Sequence, residues 1–354
     1  MKLWGILLAC ALVLSCARPQ PDRVTPPQPA PPPSKTAEST REIRAVWVSN
    51  TDRLDWDGAT RNLQRAGFNT MYVNFASGGA AFYPSQLVPE VPGSPDPSAG
   101  IALAHQRGIQ VHGKLIVTFM FRTTPEFQRR LLAANRAMRG PDGKPIEQAG
   151  YYWLCPTQDS NRTLLGGIVN EMVTRYPVDG LQFDYIRFCE QPSCYCSHCK
   201  REFEKATGRA VTDTLPFKSW QQQQITSLVR ELSTRAHAAR PGLVVSSAVF
   251  PDLNRAKEEK AQDWQAWLTG RLLDYVCTMT YTQSRPEFES LIRQQQAWAG
   301  DSKRVVVGIG SWKMTDLSQV TDHIRVARQL NSAGFALFSY DDAEERNFLP
   351  VVSR

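Results

Sequence analysis

The sequence predicts an α/β protein, a (β/α)8 TIM barrel with a cysteine-rich loop after its fourth strand. Two observations carry that expectation and a third excludes the main rival. Eight short runs rich in Val, Ile and aromatic residues recur between Ile43 and Tyr340. Stretches with apolar residues three and four apart separate them, as helices require. Strands alternating with helices build a parallel sheet, and eight of them close into a barrel. A doubly wound open sheet would carry a Gly-rich phosphate loop after its first strand. Asn50-Thr51-Asp52-Arg53 is not such a loop.

The strands are expected at 43–48, 70–75, 109–116, 180–186, 243–249, 275–280, 305–310 and 335–340. Ala59, Leu63 and Ala66 share a helical face before the second run. Ile225, Leu228, Val229, Leu232 and Ala236 do so before the fifth, and Trp264, Trp267 and Leu268 before the sixth. Phe288, Leu291, Ile292 and Trp298 precede the seventh; Leu317, Val320, Ile324 and Ala327 precede the eighth. Gly67, Gly108 and Gly334 stand where helices would stop in a left-handed C-cap. Only 14 residues follow Tyr340, so the last helix is short or distorted. Trp264 and Trp267, at helical spacing, are read as core.

The ends of the chain read differently. Lys2 and a 12-residue apolar run, 3–14, form a targeting segment too short to span a bilayer comfortably. Its end, Val13-Leu14-Ser15-Cys16, resembles a bacterial lipobox, which makes residues 1–15 a signal peptide and Cys16 the lipidated N-terminus. Eight of the 24 prolines fall between Pro19 and Pro33, so 16–40 reads as a semi-rigid tether. The barrel domain then spans 41–354, and the expected location is the cell envelope, held to a membrane by lipid. Net charge is +7 for the whole chain. Residues 41–354 hold 37 Lys and Arg against 32 Asp and Glu, a net +5 with no basic block. Nucleic-acid binding is therefore set aside.

Barrel chemistry sits where strands end and loops begin. The strand ends offer Trp47 and Asn50, Asn74, His112 and Lys114, Asp184 and Arg187, Asp252, Tyr281, Trp312, and Tyr340, Asp341 and Asp342. Aromatic faces and polar groups together suit a sugar ring. Glycoside hydrolysis uses two carboxyl groups, one protonating the leaving oxygen and one attacking the sugar or activating water. Asp184 is the first candidate, with Arg187 expected to keep it ionised. A structural ion pair at the barrel rim is the alternative. The seventh strand ends Gly310-Ser311-Trp312-Lys313, without an acid, so Asp341 or Asp252 is the second candidate. Asp342 reads as a helix cap and Asp179 as a turn or cap residue. His112 either meets a sugar hydroxyl or is a core histidine. No cofactor is expected for catalysis.

Several motifs, in order, resemble glycosyl-hydrolase-like family 10. They are Arg44-Ala45-Val46-Trp47-Val48, Gly67-Phe68-Asn69-Thr70, Phe82-Tyr83-Pro84-Ser85 and 178–188 around Phe183-Asp184-Tyr185. Asp263-Trp264, Asp274-Tyr275-Val276 with Met279 and Tyr281, Gly308-Ile309-Gly310 and 334–341 complete the series. The resemblance covers nearly all of 41–342. It implies a barrel glycosidase, often an envelope lipoprotein, and peptidoglycan glycan strands as the first substrate to consider. A catalytically inactive glycan-binding lipoprotein and a barrel lyase or transglycosylase are the rival readings. Lys114 and Cys277 depart from the family pattern, where an apolar residue and a proline are expected.

Cys189, Cys194, Cys196 and Cys199 fall within 11 residues after the fourth strand. An oxidising envelope favours disulfides. Nested bridges in so short a loop would be strained, whereas a tetrahedral zinc site of four cysteines accepts the crowding. The run 194–199 also resembles a loop of family 42 β-galactosidases, where it holds a structural zinc. His198 is an alternative ligand if Cys189 pairs with Cys155. Otherwise Cys155 and Cys277 are read as small core residues.

Overall fold

A computed structural model describes residues 41–189, 193–345 and 347–349. The signal, tether and Cys16 readings lie outside these residues, as does the end of the chain. No helix among the described residues is long and apolar enough to cross a membrane.

Eight parallel strands close into a barrel. In chain order they are Ile43–Val48, Thr70–Ser77, Gln110–Ile116, Gly180–Asp184, Val244–Val249, Tyr275–Thr278, Val305–Gly310 and Gly334–Phe338. The eighth pairs with the first through Ile43 and Gly334. Helices cross between the strands on the outside, as the alternating pattern predicts. Side-chain alternation divides the core in two. Ala45, Trp47, Tyr72, Ala248, Tyr275, Cys277, Val306 and Ala336 fill the barrel interior. Val46, Val48, Met71, Leu181, Val245, Val307 and Leu337 face the helices. The helical residues named above pack there too, except Leu291, which is half-buried outside that core, and Leu317, which is exposed.

The caps explain where elements stop. The helix Trp56–Ala66 begins at Asp55, whose carboxylate accepts from Gly58 N, and ends at Gly67 with φ +82°. Gly334 does another task. The turn after the helix Leu317–Gln329 is made by Asn331, with φ +56°. Gly334 instead begins the last strand, where a Cβ would lie 1.9 Å from the Ile43 carbonyl oxygen. The barrel closes there only with glycine. The final helix is short, Tyr340–Glu345, as the residues remaining require.

Candidate active site

The fourth strand ends at Asp184 because Tyr185 takes φ +51°. That left-handed turn is unfavourable for tyrosine. It is held by the exit of the third strand. Val117 N donates to the Asp184 carbonyl (2.8 Å). Thr118 Oγ1 donates to the carbonyls of Tyr185 (2.5 Å) and Arg187 (2.8 Å). The turn aims the Asp184 carboxylate into the C-terminal mouth of the barrel. Its Oδ1 accepts from Tyr185 N at 2.8 Å and its Oδ2 from Lys114 Nζ at 2.9 Å.

Lys114, not Arg187, is thus the cation bound to Asp184. Its side chain is 4 % exposed, against 13 % for Asp184. Both lie on the inner face of neighbouring strands, Lys114 opposite Gln182. Arg187 turns the other way. Its guanidinium stacks over Trp153 (4.7 Å), Tyr185 (4.8 Å) and Phe250 (5.5 Å). Burial first, and the Asp184 charge second, push the Tyr281 phenol well above its ordinary range. It is a neutral hydroxyl beside the carboxylate. Tyr185 is shifted upward by the same two causes, with Arg187 opposing them.

Aromatic rings stand on both sides of this centre. Phe119 stacks on Tyr185 (5.4 Å) and on Phe121 (6.4 Å), and Tyr151 packs edge-on to Phe121 (5.8 Å). Tyr151 comes from a small hairpin, Glu147–Gln148 with Tyr151–Tyr152, inserted after the third strand. Trp312, 49 % exposed, follows the seventh strand, with Lys313 Nζ over its ring at 5.1 Å. The third and seventh strands are diametrically opposed in the ring of eight.

Asn74 also sits at the mouth, in register with Lys114. Its Nδ2 donates to the Ser49 carbonyl (2.9 Å), while its buried Oδ1 has no hydrogen-bond partner. Asn50 is exposed and makes no cap bond to the turn it starts. Asp341 Oδ2 is buried without a hydrogen-bond partner. Asp342 accepts from Ser311 Oγ (2.9 Å), which also donates to the Phe338 carbonyl, rather than capping a helix.

Other expected site residues are placed elsewhere. Trp47 is 1 % exposed, its Nε1 donating to Gln182 Oε1 at 2.6 Å inside the barrel. Its ring is core, below the mouth. His112 is not at a strand end, because the third strand runs on to Ile116. It pairs with Gly180, the first residue of the fourth strand, and packs against Tyr72 and Tyr275. Burial lowers its imidazole to about 4. Tyr340 is buried and donates outward to Glu344 (2.7 Å). Asp252 caps the helix Leu253–Lys260 through Arg255 N (2.9 Å). Asp179 is a turn residue with a wider reach, accepting from Val111 N and paired with His105 Nε2 (2.9 Å).

The cysteine set also needs correction. The sulfurs that converge belong to Cys155, Cys194, Cys196 and Cys199, all within 4.8 Å of one another and all buried. Cys189 is buried beside Ser193, outside that group. His198 is turned to the Thr157 carbonyl, 3.0 Å from Nε2. The sequence offered Cys155 as a core residue or a partner of Cys189 and not as a member of this set, because Cys196 and Cys199 lie 41 and 44 positions downstream.

A cavity of about 690 Å³ opens at the opposite, N-terminal end, lined by His112, Tyr275, Thr70 and Gly334. It holds no part of the Asp184 constellation. In barrels of this kind chemistry lies at the C-terminal mouth.

The family model for glycosyl hydrolase-like 10 matches residues 42–321. The chain belongs to that family. Glycosyl hydrolase DigH of Escherichia coli K12 is 26% identical, over 89% of this chain and 84% of the relative. Glycosyl hydrolase YngK of Bacillus subtilis is 19% identical over 69% of this chain and 55% of the relative. Among solved structures, the PgaB (BpsB) glycoside hydrolase domain from Bordetella bronchiseptica superimposes with a TM-score of 0.69. It is 15% identical and covers 88% of this chain and 100% of that domain. The glycosyl hydrolase-like 10 chain and that domain share the barrel fold.

Proposed function

We propose that this member of glycosyl hydrolase-like 10 hydrolyses a cell-envelope or extracellular polysaccharide, with peptidoglycan glycan strands the first substrate. The observation that carries the reading is Asp184, ion-paired to Lys114 beside a neutral Tyr281, between two aromatic walls. A carboxylate with an ammonium partner suits attack on, or stabilisation of, an oxocarbenium-like sugar. Asp341, with its orphaned carboxylate oxygen, is assigned the acid role. Rings on opposite sides of the mouth suit a glycan chain that continues past the cleaved bond in both directions.

The test is release of reducing ends from purified glycan strands with and without stem peptides. The wild type is expected to release them, and Asp184→Asn to lose turnover while keeping its circular dichroism spectrum. Normal turnover by Asp184→Asn would reject the assignment. Both Asp184 oxygens are already engaged, which favours a second reading as a glycan-binding protein. Glycan binding without reducing-end release would support that reading instead. An unsaturated or anhydro sugar end among the products would indicate a lyase or transglycosylase.

The location is part of the same proposal: Cys16 carries lipid and 17–40 tethers the barrel to a membrane face. Cys16→Ser is expected to move the protein from the membrane fraction to the soluble one.

A further inference from the structure

We infer that Cys155, Cys194, Cys196 and Cys199 bind one zinc ion in a closed, structural site. The inference is independent of the glycosidase reading, because it rests on sulfur geometry alone. A tetrahedral thiolate site with Zn–S of about 2.3 Å has sulfurs about 3.8 Å apart. Cys155 Sγ lies 3.7 Å from Cys196 Sγ and 3.5 Å from Cys199 Sγ. A disulfide needs about 2.05 Å. Four thiols serving as core would turn their sulfurs toward aliphatic and aromatic neighbours; these converge on one another.

Donors surround the cluster where four thiolates on a divalent ion would leave negative charge. Arg139 N points at Cys194 Sγ (3.3 Å). Cys196 caps the helix Ser197–Thr207, and its sulfur accepts from Cys199 N (3.4 Å). A thiolate is favoured at that positive helix end. The buried Thr157 hydroxyl is 3.1 Å from Cys155 Sγ and 3.3 Å from Cys199 Sγ. Such outer partners orient metal ligands and disperse their charge. With four sulfurs the ion has no open position for water, so its role is to hold structure.

The structure held is the wall of the mouth. Cys155 comes from the loop after the third strand, Cys194 and Cys196 from the loop after the fourth, and Cys199 from the first turn of the helix that follows it. Trp153, two residues before Cys155, packs against both Phe119 (4.9 Å) and Tyr185 (5.5 Å). One ion would clamp the two loops together.

The test measures metal on the intact purified chain, prepared without chelator. One zinc per chain is expected in the wild type and in Cys189→Ser. Cys155→Ser is expected to lose at least half of it. Because Cys155→Ser is a core change, cobalt exchange into the wild type gives a second readout. Tetrahedral thiolate-to-cobalt charge-transfer bands in the near ultraviolet are the expected result. Metal-free wild type, a disulfide among the four cysteines, or zinc lost in Cys189→Ser but kept in Cys155→Ser would each overturn the inference. None of these outcomes depends on whether the protein cleaves a glycan.

Discussion

Lys114 Nζ and Asp184 Oδ2 meet at 2.9 Å across neighbouring strands, each side chain largely shielded from water. Removing one partner of such a pair leaves an uncompensated charge, which costs about 3–5 kcal/mol, whereas removing both costs far less. Lys114→Met is therefore expected to lower stability to denaturant by about 3 kcal/mol, toward the small end because Asp184 borders the open mouth. The double variant Lys114→Met/Asp184→Asn should recover most of that loss. Equal losses in single and double variants would mean that the pair is not coupled.

His112 gives a pH signature. Its unfolded imidazole takes a proton near 6.5, and the buried native one only at about 4. Below pH 6.5 the unfolded state thus binds more protons, so stability falls as pH falls toward 4. The two values correspond to about 3 kcal/mol, and Asp179 and Asp274 act against the shift. Denaturant midpoints between pH 7 and 4 should drop steeply in the wild type. They should drop less in His112→Gln, whatever that variant's starting stability. Parallel curves would remove His112 as the cause.

Two glycines set backbone strain alone against strain joined to collision. Gly93 has φ +81° and open space around its Cβ position, while Gly334, at φ +155°, would also drive a Cβ into Ile43. Gly93→Ala should cost about 1 kcal/mol, the ordinary left-handed penalty. Gly334→Ala should cost about 3 kcal/mol by parting the first and eighth strands. Similar midpoints for the two variants would refute the close-approach explanation.

The barrel was legible because each strand is a short Val- and Ile-rich run, and each crossover keeps a helical period. What escaped was geometry that no run encodes. His112 falls early in strand three, opposite Gly180, which lowers it into the barrel, while Lys114, opposite Gln182, reaches along the inner face to Asp184. The clue was present: a lysine two positions beyond His112 shares its inward face, and a buried ammonium demands a carboxylate. The place of Asp184 at a strand end was legible, but the Tyr185 turn that aims it was not, since tyrosine carries no left-handed signature. Arg187 was favoured by sequence proximity, although a three-residue offset across a turn points it to Trp153. Cys155 had no local pattern at all. Its partner Cys196 is 41 residues away and reaches it only through the loop packing.

Two tryptophans at strand ends looked alike in the sequence and differ in the fold, which makes them a paired test of the proposed glycan-binding mouth. Trp47 is 1 % exposed and fills the barrel interior, so Trp47→Ala should cost about 3–5 kcal/mol in stability. Trp312 is 49 % exposed, and Trp312→Ala should leave stability within about 0.5 kcal/mol. If its ring carries a sugar, the same change should raise KM for a polymeric glycan several-fold, with a smaller effect on kcat. Stacking on one face contributes binding that is present before the transition state, so its loss falls on KM. A Trp312→Phe variant should restore part of the affinity by keeping an apolar ring. Unchanged KM in Trp312→Ala would confine substrate contacts to the opposite wall, where Phe121, Tyr151 and Tyr185 lie.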